Sequence, residues 1–361
     1  MNPRKKLPFL IILALALVCG DSREKIYLFK GGVKTRPEQG LSREELGFYP
    51  PQGKFFSQSW TFIYYLEDGS GGYIQLSHLR LGYLLQQLLV HHSHYTEQGQ
   101  LIYQKKIVPA KDWEWEQAKP RLRIGPAYWE GFYPDFYLFA PLKGITAKLK
   151  FHCLTPGWRP GEGPTYYGSP QGEWYDLVVM IPWAEVSGTI KIPGREKSVR
   201  GFGYADHNIQ TIWFTTQCQE LYALRSFARG WAIHFLDYHS PARFNYQRMS
   251  WLLVMKEGRI IYATDQYQIY PSEWSEEPER KRKYPKKARI VVDQPELKLT
   301  GEIQGRELLE VLDVRDQLPG WAVPLAEKLI RQPAFIRQRA HLFWKITHHN
   351  QSQPPPRQRY F

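Results

Sequence analysis

The chain has 361 residues, 43% of them hydrophobic and 15% aromatic, and a formal net charge of +13. Such length and apolar content exclude a disordered or fibrous chain and suffice for two domains of ordinary size. With 13 Trp, 23 Tyr and 18 Phe, residues that favour pleated and half-buried surfaces, an all-β protein is expected.

Arg4, Lys5 and Lys6 precede an apolar run over residues 9–18, followed by Cys19-Gly20-Asp21. The run is too short to span a bilayer and reads as an export signal over residues 1–20, which predicts a bacterial periplasmic or cell-envelope location. Cys19 directly after the run is a candidate lipidation site, as in an envelope lipoprotein. Val18 stands where such signals usually place a small residue, so plain cleavage after Gly20 is the alternative. Loss of the three signal cations leaves the mature chain at +10, a charge suited to a membrane surface of anionic lipid. Export argues against nucleic acid as a partner.

Residues 21–50 lead into a first β domain expected over 51–200. Strand-like runs at 60–65 and 73–79 flank Glu67-Asp68-Gly69-Ser70-Gly71-Gly72, a hairpin signature. Further strands are predicted at 83–90, 101–108, 136–140, 145–154 and 185–192. A second β domain is expected over 201–350, with strands at 213–216, 221–227 and 231–238 and a hairpin joining 251–255 to 260–263. Strands at 289–292, 297–303 and 342–346 follow, with a short helix at 322–331 and a flexible tail at 351–361 around Pro354-Pro355-Pro356. Short strands with Gly and Pro punctuation and no long helical period describe sandwiches or barrels.

The densest chemistry lies in Gly201-Phe202-Gly203-Tyr204-Ala205-Asp206-His207-Asn208. Two glycines that would bend the chain precede the polar side chains. In an extended segment Phe202, Tyr204, Asp206 and Asn208 share one face, and Ala205 and His207 take the other. An Asp facing an apolar interior has a raised pKa and can donate a proton or anchor a polar ligand head. A structural polar network between two sheets is the competing reading.

Other clusters carry less. His91-His92-Ser93-His94 lacks a neighbouring carboxylate or Cys to complete a metal site, and an exposed strand end is expected there. Cys153 and Cys218 read as small buried side chains. Arg280-Lys281-Arg282-Lys283-Tyr284-Pro285-Lys286-Lys287 follows Glu276-Glu277-Pro278-Glu279 and reads as a solvated loop. No nucleotide fingerprint, phosphate-binding glycine loop or Gly-x-Ser-x-Gly elbow occurs, so no cofactor is expected.

The sequence Trp60-Thr61-Phe62-Ile63-Tyr64-Tyr65-Leu66-Glu67-Asp68-Gly69, followed by Gly72-Tyr73-Ile74-Gln75, resembles the opening hairpin of the survival-factor and carotenoid 1,2-hydratase superfamily, which includes AttH-like proteins. Leu149-Lys150-Phe151, Pro156-Gly157, Tyr166-Tyr167-Gly168, Val186-Ser187-Gly188-Thr189 and Arg200 with the octapeptide follow in the family's order, across residues 50–260. The resemblance implies two tandem lipocalin-like antiparallel β-barrels or sandwiches around an interdomain cleft. It also implies an apolar small-molecule ligand, a lipid or isoprenoid, since family members hydrate carotenoids, carry ceramide-type lipids or promote cycloaddition. In the hydratases the motif's Tyr and Asp are functional, here Tyr204 and Asp206. The hydratases' His-x-Trp pair has no counterpart in this chain, and Ile209-Gln210 stand where Trp-Gly commonly follows.

The leading expectation is an exported carrier that holds a long apolar ligand through Tyr204, Asp206 and Asn208, with Trp213, Trp60, Tyr64 and Gln75 lining the cleft. The alternative is a cofactor-free hydratase or isomerase with Asp206 as general acid, Tyr204 as its partner and His207 as a proton relay.

Overall fold

The computed structural model describes residues 23–34, 40–82, 85–228, 230–279, 281–313 and 334–348; the export signal expected at 1–20 with Cys19, the helix expected at 322–331 and the tail expected at 351–361 lie outside the described residues. The fold is all-β, and the described residues form three antiparallel sheets. The large sheet contains β1 (Lys25–Tyr27), β2 (Phe55–Leu66), β3 (Gly71–Leu81), β4 (Leu85–Tyr95), β5 (Leu101–Val108), β6 (Trp113–Glu116) and β7 (Arg121–Ile124). It continues through β8 (Ala127–Phe132), β9 (Asp135–Leu142), β10 (Ile145–Cys153), β11 (Thr165–Gly168), β12 (Glu173–Ile192) and β13 (Arg195–Gln210). A one-turn helix, α1 (Phe214–Gln217), leads to the second sheet of β14 (Glu220–Ala228), β15 (Trp231–His239), β16 (Arg248–Lys256) and β17 (Arg259–Thr264). The third sheet is β18 (Gln268–Glu276), β19 (Lys283–Asp293), β20 (Leu297–Asp313) and β21 (Ala334–His348). Among the described residues no helix is long and apolar enough to cross a membrane.

The large sheet runs β5-β4-β3-β2-β13-β12-β10-β9-β8-β7-β6, with β1 attached to β12 through β11. It curls into a half-barrel, bringing β4 against β7 and β9. The curl encloses an apolar core of Trp60, Phe62, Tyr64, Trp129, Phe136 and Phe151. β2 shows how the sequence encodes this: Phe56, Trp60, Phe62, Tyr64 and Leu66 alternate inward, while Ser57, Ser59, Ile63 and Tyr65 take the half-buried outer face.

The second sheet lies between the other two. Ala232, Leu236, Trp251, Leu253 and Met255 pack with Tyr175, Leu177, Val179 and Trp183 on the outer face of β12. Ile233, Phe235, Leu252 and Val254, one residue out of phase, pack on Ile290, Val292 and Leu299 of the third sheet. Strands buried on both faces need apolar residues at every position, hence the unbroken Trp251-Leu252-Leu253-Val254-Met255.

Several expectations change. The octapeptide lies inside β13, paired with β12 on one side and β2 on the other, so the chain leaves the large sheet over 211–219 rather than near residue 200. The strand expected at 213–216 is instead α1. Of the basic run, Lys281 and Arg282 lie outside any strand, and from Lys283 it forms β19, held in register by β18 and β20. His91, His92, Ser93 and His94 are buried in β4, not exposed at a strand end, because the curl and the third sheet cover both faces there. Cys153 and Cys218 are free and buried.

Candidate functional site

β13 carries the octapeptide past β2 with Asp206 opposite Thr61 and Asn208 opposite Ser59. The two glycines make room; they do not bend the chain. A Cβ at Gly201 would stand 1.9 Å from the Tyr65 carbonyl oxygen, and one at Gly203 2.5 Å from the Phe151 ring. Gly203→Ala must therefore displace a core ring, and a stability loss of about 1–3 kcal/mol is expected in urea unfolding.

Between the outer face of β2, β3 and β13 and the facing second and third sheets lies a cleft of about 1420 Å³. Asp206, Asn208, Gln75 and Trp213 line it. Asn208 Nδ2 donates to Asp206 Oδ1 at 2.6 Å, and the Tyr175 hydroxyl donates to Asn208 Oδ1 at 2.6 Å. From β14, Arg225 places Nη2 3.8 Å from Asp206 Oδ2 and donates to the Tyr204 hydroxyl at 2.9 Å. Its Nη1 donates to the Phe235 carbonyl at 2.8 Å, and its guanidinium carbon sits 4.2 Å from the centre of the Tyr204 ring.

Burial pushes the Asp206 carboxyl above its ordinary value, opposed chiefly by the Arg225 charge and then by hydrogen bonds from Tyr204, Asn208 and Thr61. Burial likewise drives the Tyr204 phenol far upward, so it remains a proton donor. The result is a charge-balanced pair, Asp206 with Arg225, both of which line the cleft, whereas Tyr204, expected to meet the ligand, is fully buried behind them and does not line it.

Three more expected site residues lie elsewhere. Trp60 and Tyr64 belong to the inward face of β2 and pack in the half-barrel core, where the Tyr64 hydroxyl meets His92 Nε2 at 2.7 Å and His94 Nδ1 at 3.0 Å. Strand alternation places Thr61, Ile63 and Tyr65 at the cleft in their stead. His207 also faces inward, stacked on Trp60 with ring centres 4.2 Å apart and its pKa lowered to about 3 by burial. A proton relay from that side of β13 cannot reach the cleft.

Arg225 was not singled out by sequence. It sits in Leu224-Arg225-Ser226 with no motif around it, and only the packing of β14 over β13 brings it to Asp206. Arg337 was missed in the same way: it lines the cleft from β21, its guanidinium carbon 3.9 Å from the Tyr73 ring centre, and pairs with Glu310, which also accepts hydrogen bonds from Ser93 and Tyr95.

Known proteins place this architecture. The Svf1 family model matches residues 139–352, a span that contains β13, β14 and the Asp206–Arg225 pair. No curated protein matches the sequence. Among solved structures the chain is similar to AttH of Nitrosomonas europaea, with a TM-score of 0.60 and 14% identity over 86% of this chain and 94% of that one. It is also similar to CghA in complex with Sch210972, with a TM-score of 0.57 and 11% identity over 90% and 94% of the two chains. Kievitone hydratase of Nectria haematococca follows at a TM-score of 0.50 and 9% identity over 89% and 98%. At such identities the likeness establishes the shared AttH-like, lipocalin-type fold. By the family match over more than half its length, the chain belongs to the Svf1 family.

Proposed function

We propose that this protein binds and carries an elongated lipid or isoprenoid in the cleft between its large sheet and the two smaller ones, with Asp206 and Asn208 anchoring a polar group of the ligand. The observation that carries the reading is a space of about 1420 Å³ with a buried Asp206–Arg225 pair on its wall. Cavities that hold drug-sized ligands occupy about 300–1,000 Å³, so this one suits a longer molecule. CghA, which is similar in fold, is seen with Sch210972. The test is mass spectrometry of small molecules co-extracted with protein purified from membranes. Recovery of a stoichiometric amphiphile supports the reading, and an empty protein that also ignores fluorescent fatty acids and isoprenoids overturns it.

A second reading is a cofactor-free hydratase or isomerase with Asp206 as general acid and Tyr204 as its partner. The raised pKa of Asp206 favours it, because protonating an alkene needs a carboxyl that keeps its proton. Arg225 at 3.8 Å disfavours it by stabilising the carboxylate. Conversion of an isoprenoid by the wild type and not by Asp206→Asn would establish catalysis; binding by both without conversion would dismiss it.

The N-terminal pattern supports export with anchoring through Cys19. Cys19→Ser is expected to move the protein from the membrane to the soluble fraction of fractionated cells, and unchanged membrane association would refute lipidation.

A further inference from the structure

The cleft is unequally charged. Arg225 of β14, Arg337 and Arg339 of β21, and Arg282, Lys283, Lys286 and Lys287 in or just before β19 line it. Against these seven cations the described residues set three carboxylates in the lining, Asp206, Glu220 and Glu276. The paired cations do not even the balance inside, because most of their partners stand outside the lining. Glu310, which pairs with Arg337, is 4% exposed and accepts from Ser93 and Tyr95 at 2.8 and 2.9 Å. Glu307 meets Arg339 at 3.0 Å and Glu273 meets Lys287 at 2.6 Å, and neither carboxylate lines the cleft.

One of these cations is left over. In β19, Lys286 shares a face with Ala288, Ile290 and Val292; the last two pack on the second sheet, and Lys286 and Ala288 carry that face on into the lining of the cleft. The register of β18 and β19 pairs Ser272 with Lys287 and Trp274 with Pro285, which sets Glu273 across from Lys286. Glu273 has a φ of 51°, in the left-handed region, and its carboxylate meets Lys287 instead. The Lys286 side chain forms no ion pair or hydrogen bond with any described residue. A concave site with an excess of one sign focuses its field and gathers ligands of the opposite sign. An acid group that enters finds its counter-charge at Lys286, whereas Asp206, already compensated by Arg225, suits a hydroxyl or amide elsewhere on the same ligand.

We propose that the cleft selects an acidic amphiphile, a long apolar chain bearing an ionised acid group such as a carboxylate, and that Lys286 of β19 holds that group. The inference rests on the binding function proposed above and deepens it by fixing the charge of the ligand and the strand that receives it. The remaining cations act at longer range, through the field they set up in the cleft.

The test compares dodecanoic acid, dodecanol and dodecylamine, equal in chain length and different in charge, as displacers of the neutral dye N-phenyl-1-naphthylamine from the intact protein near neutral pH. Each is kept below the concentration at which it aggregates, and acetate and inorganic phosphate serve as anions without a chain. The acid is expected to bind about tenfold or more tightly than the alcohol, and the amine more weakly than either. Raising the salt to about 0.5 M should shrink the preference for the acid to about threefold, since mobile ions screen the field. Lys286→Gln, whose folding is checked by its urea midpoint, should lose about fivefold in affinity for the acid and nothing for the alcohol. Equal binding of acid and alcohol, tighter binding of the amine, or a full acid preference in Lys286→Gln overturns the inference and leaves the binding function standing, because the chains and the dye still bind. Displacement of the dye by acetate or phosphate at the concentrations effective for dodecanoic acid overturns it too, since the site would then be one for a free anion. A protein that takes up neither the dye nor any of the three chains removes both.

Discussion

Replacing Arg225 with methionine is expected to lower the unfolding free energy by about 3–5 kcal/mol, the largest effect of any single substitution considered. The side chains of Arg225 and Asp206 are 8% and 9% exposed. Removing the cation therefore strands a carboxylate in a site where burial already pushes its pKa upward. The Tyr204 hydroxyl and the Phe235 carbonyl lose a donor at the same time. Adding Asp206→Asn should return much of the loss, since a neutral amide needs no counter-charge. Urea unfolding of the two single variants and the double variant measures this as a cycle. A loss below about 1 kcal/mol in Arg225→Met would mean that solvent, not Arg225, balances Asp206.

Acid should destabilise the protein well above the range in which ordinary carboxyl groups titrate. Burial pushes His91, His207 and His234 each down to about 3, with Arg337 and Lys105 adding to the effect at His91 and Arg225 at His234. Burial also lowers His94 to about 4 and His92 well below its usual value. These groups are neutral in the folded state and take up protons on unfolding below their ordinary value of 6.5, so stability falls as pH drops from there toward 3 or 4. Each costs about 1.4 kcal/mol per pH unit, which for the first three amounts to roughly 6 kcal/mol between pH 7 and pH 5. That is comparable to the whole stability of many domains. Asp176 and Asp206, whose carboxyls are raised by burial, act in the opposite sense and offset part of the loss. Unfolding in urea at pH 7 and pH 5 reads the difference. A flat profile over that interval would show that these histidines are hydrated in solution.

The alternation of Phe202, Tyr204, Asp206 and Asn208 was legible because a strand has only two faces, and the hairpin around Asp68-Gly69 because its turn residues have little other use. Which face meets a ligand was not legible from aromatic content. On β2 the bulky Trp60 and Tyr64 drew attention, yet they fill the half-barrel, and the residues that alternate with the inward ones, Ser57, Ser59, Thr61, Ile63 and Tyr65, line the cleft. His91-His92-Ser93-His94 looks exposed by composition, and its burial depends on a third sheet some 200 residues further along the chain, where Glu310 meets Ser93 at 2.8 Å. Arg225 and Arg337 are invisible for the same reason: each acquires its role from a partner distant in sequence. Continuous apolar runs such as Trp251–Met255 announce burial on both faces without saying what lies on each, and here the two faces serve different sheets.

The most direct test of the account is a titration of intact protein with a fluorescent fatty acid, comparing the wild type with Ala223→Trp. Ala223 lines the cleft and is exposed within it, so an indole there removes ligand volume without disturbing a packed core. The account predicts saturable one-to-one binding by the wild type and at least about tenfold weaker binding by the variant at an unchanged urea midpoint. Equal affinity in the two proteins, or no binding by either, would contradict it.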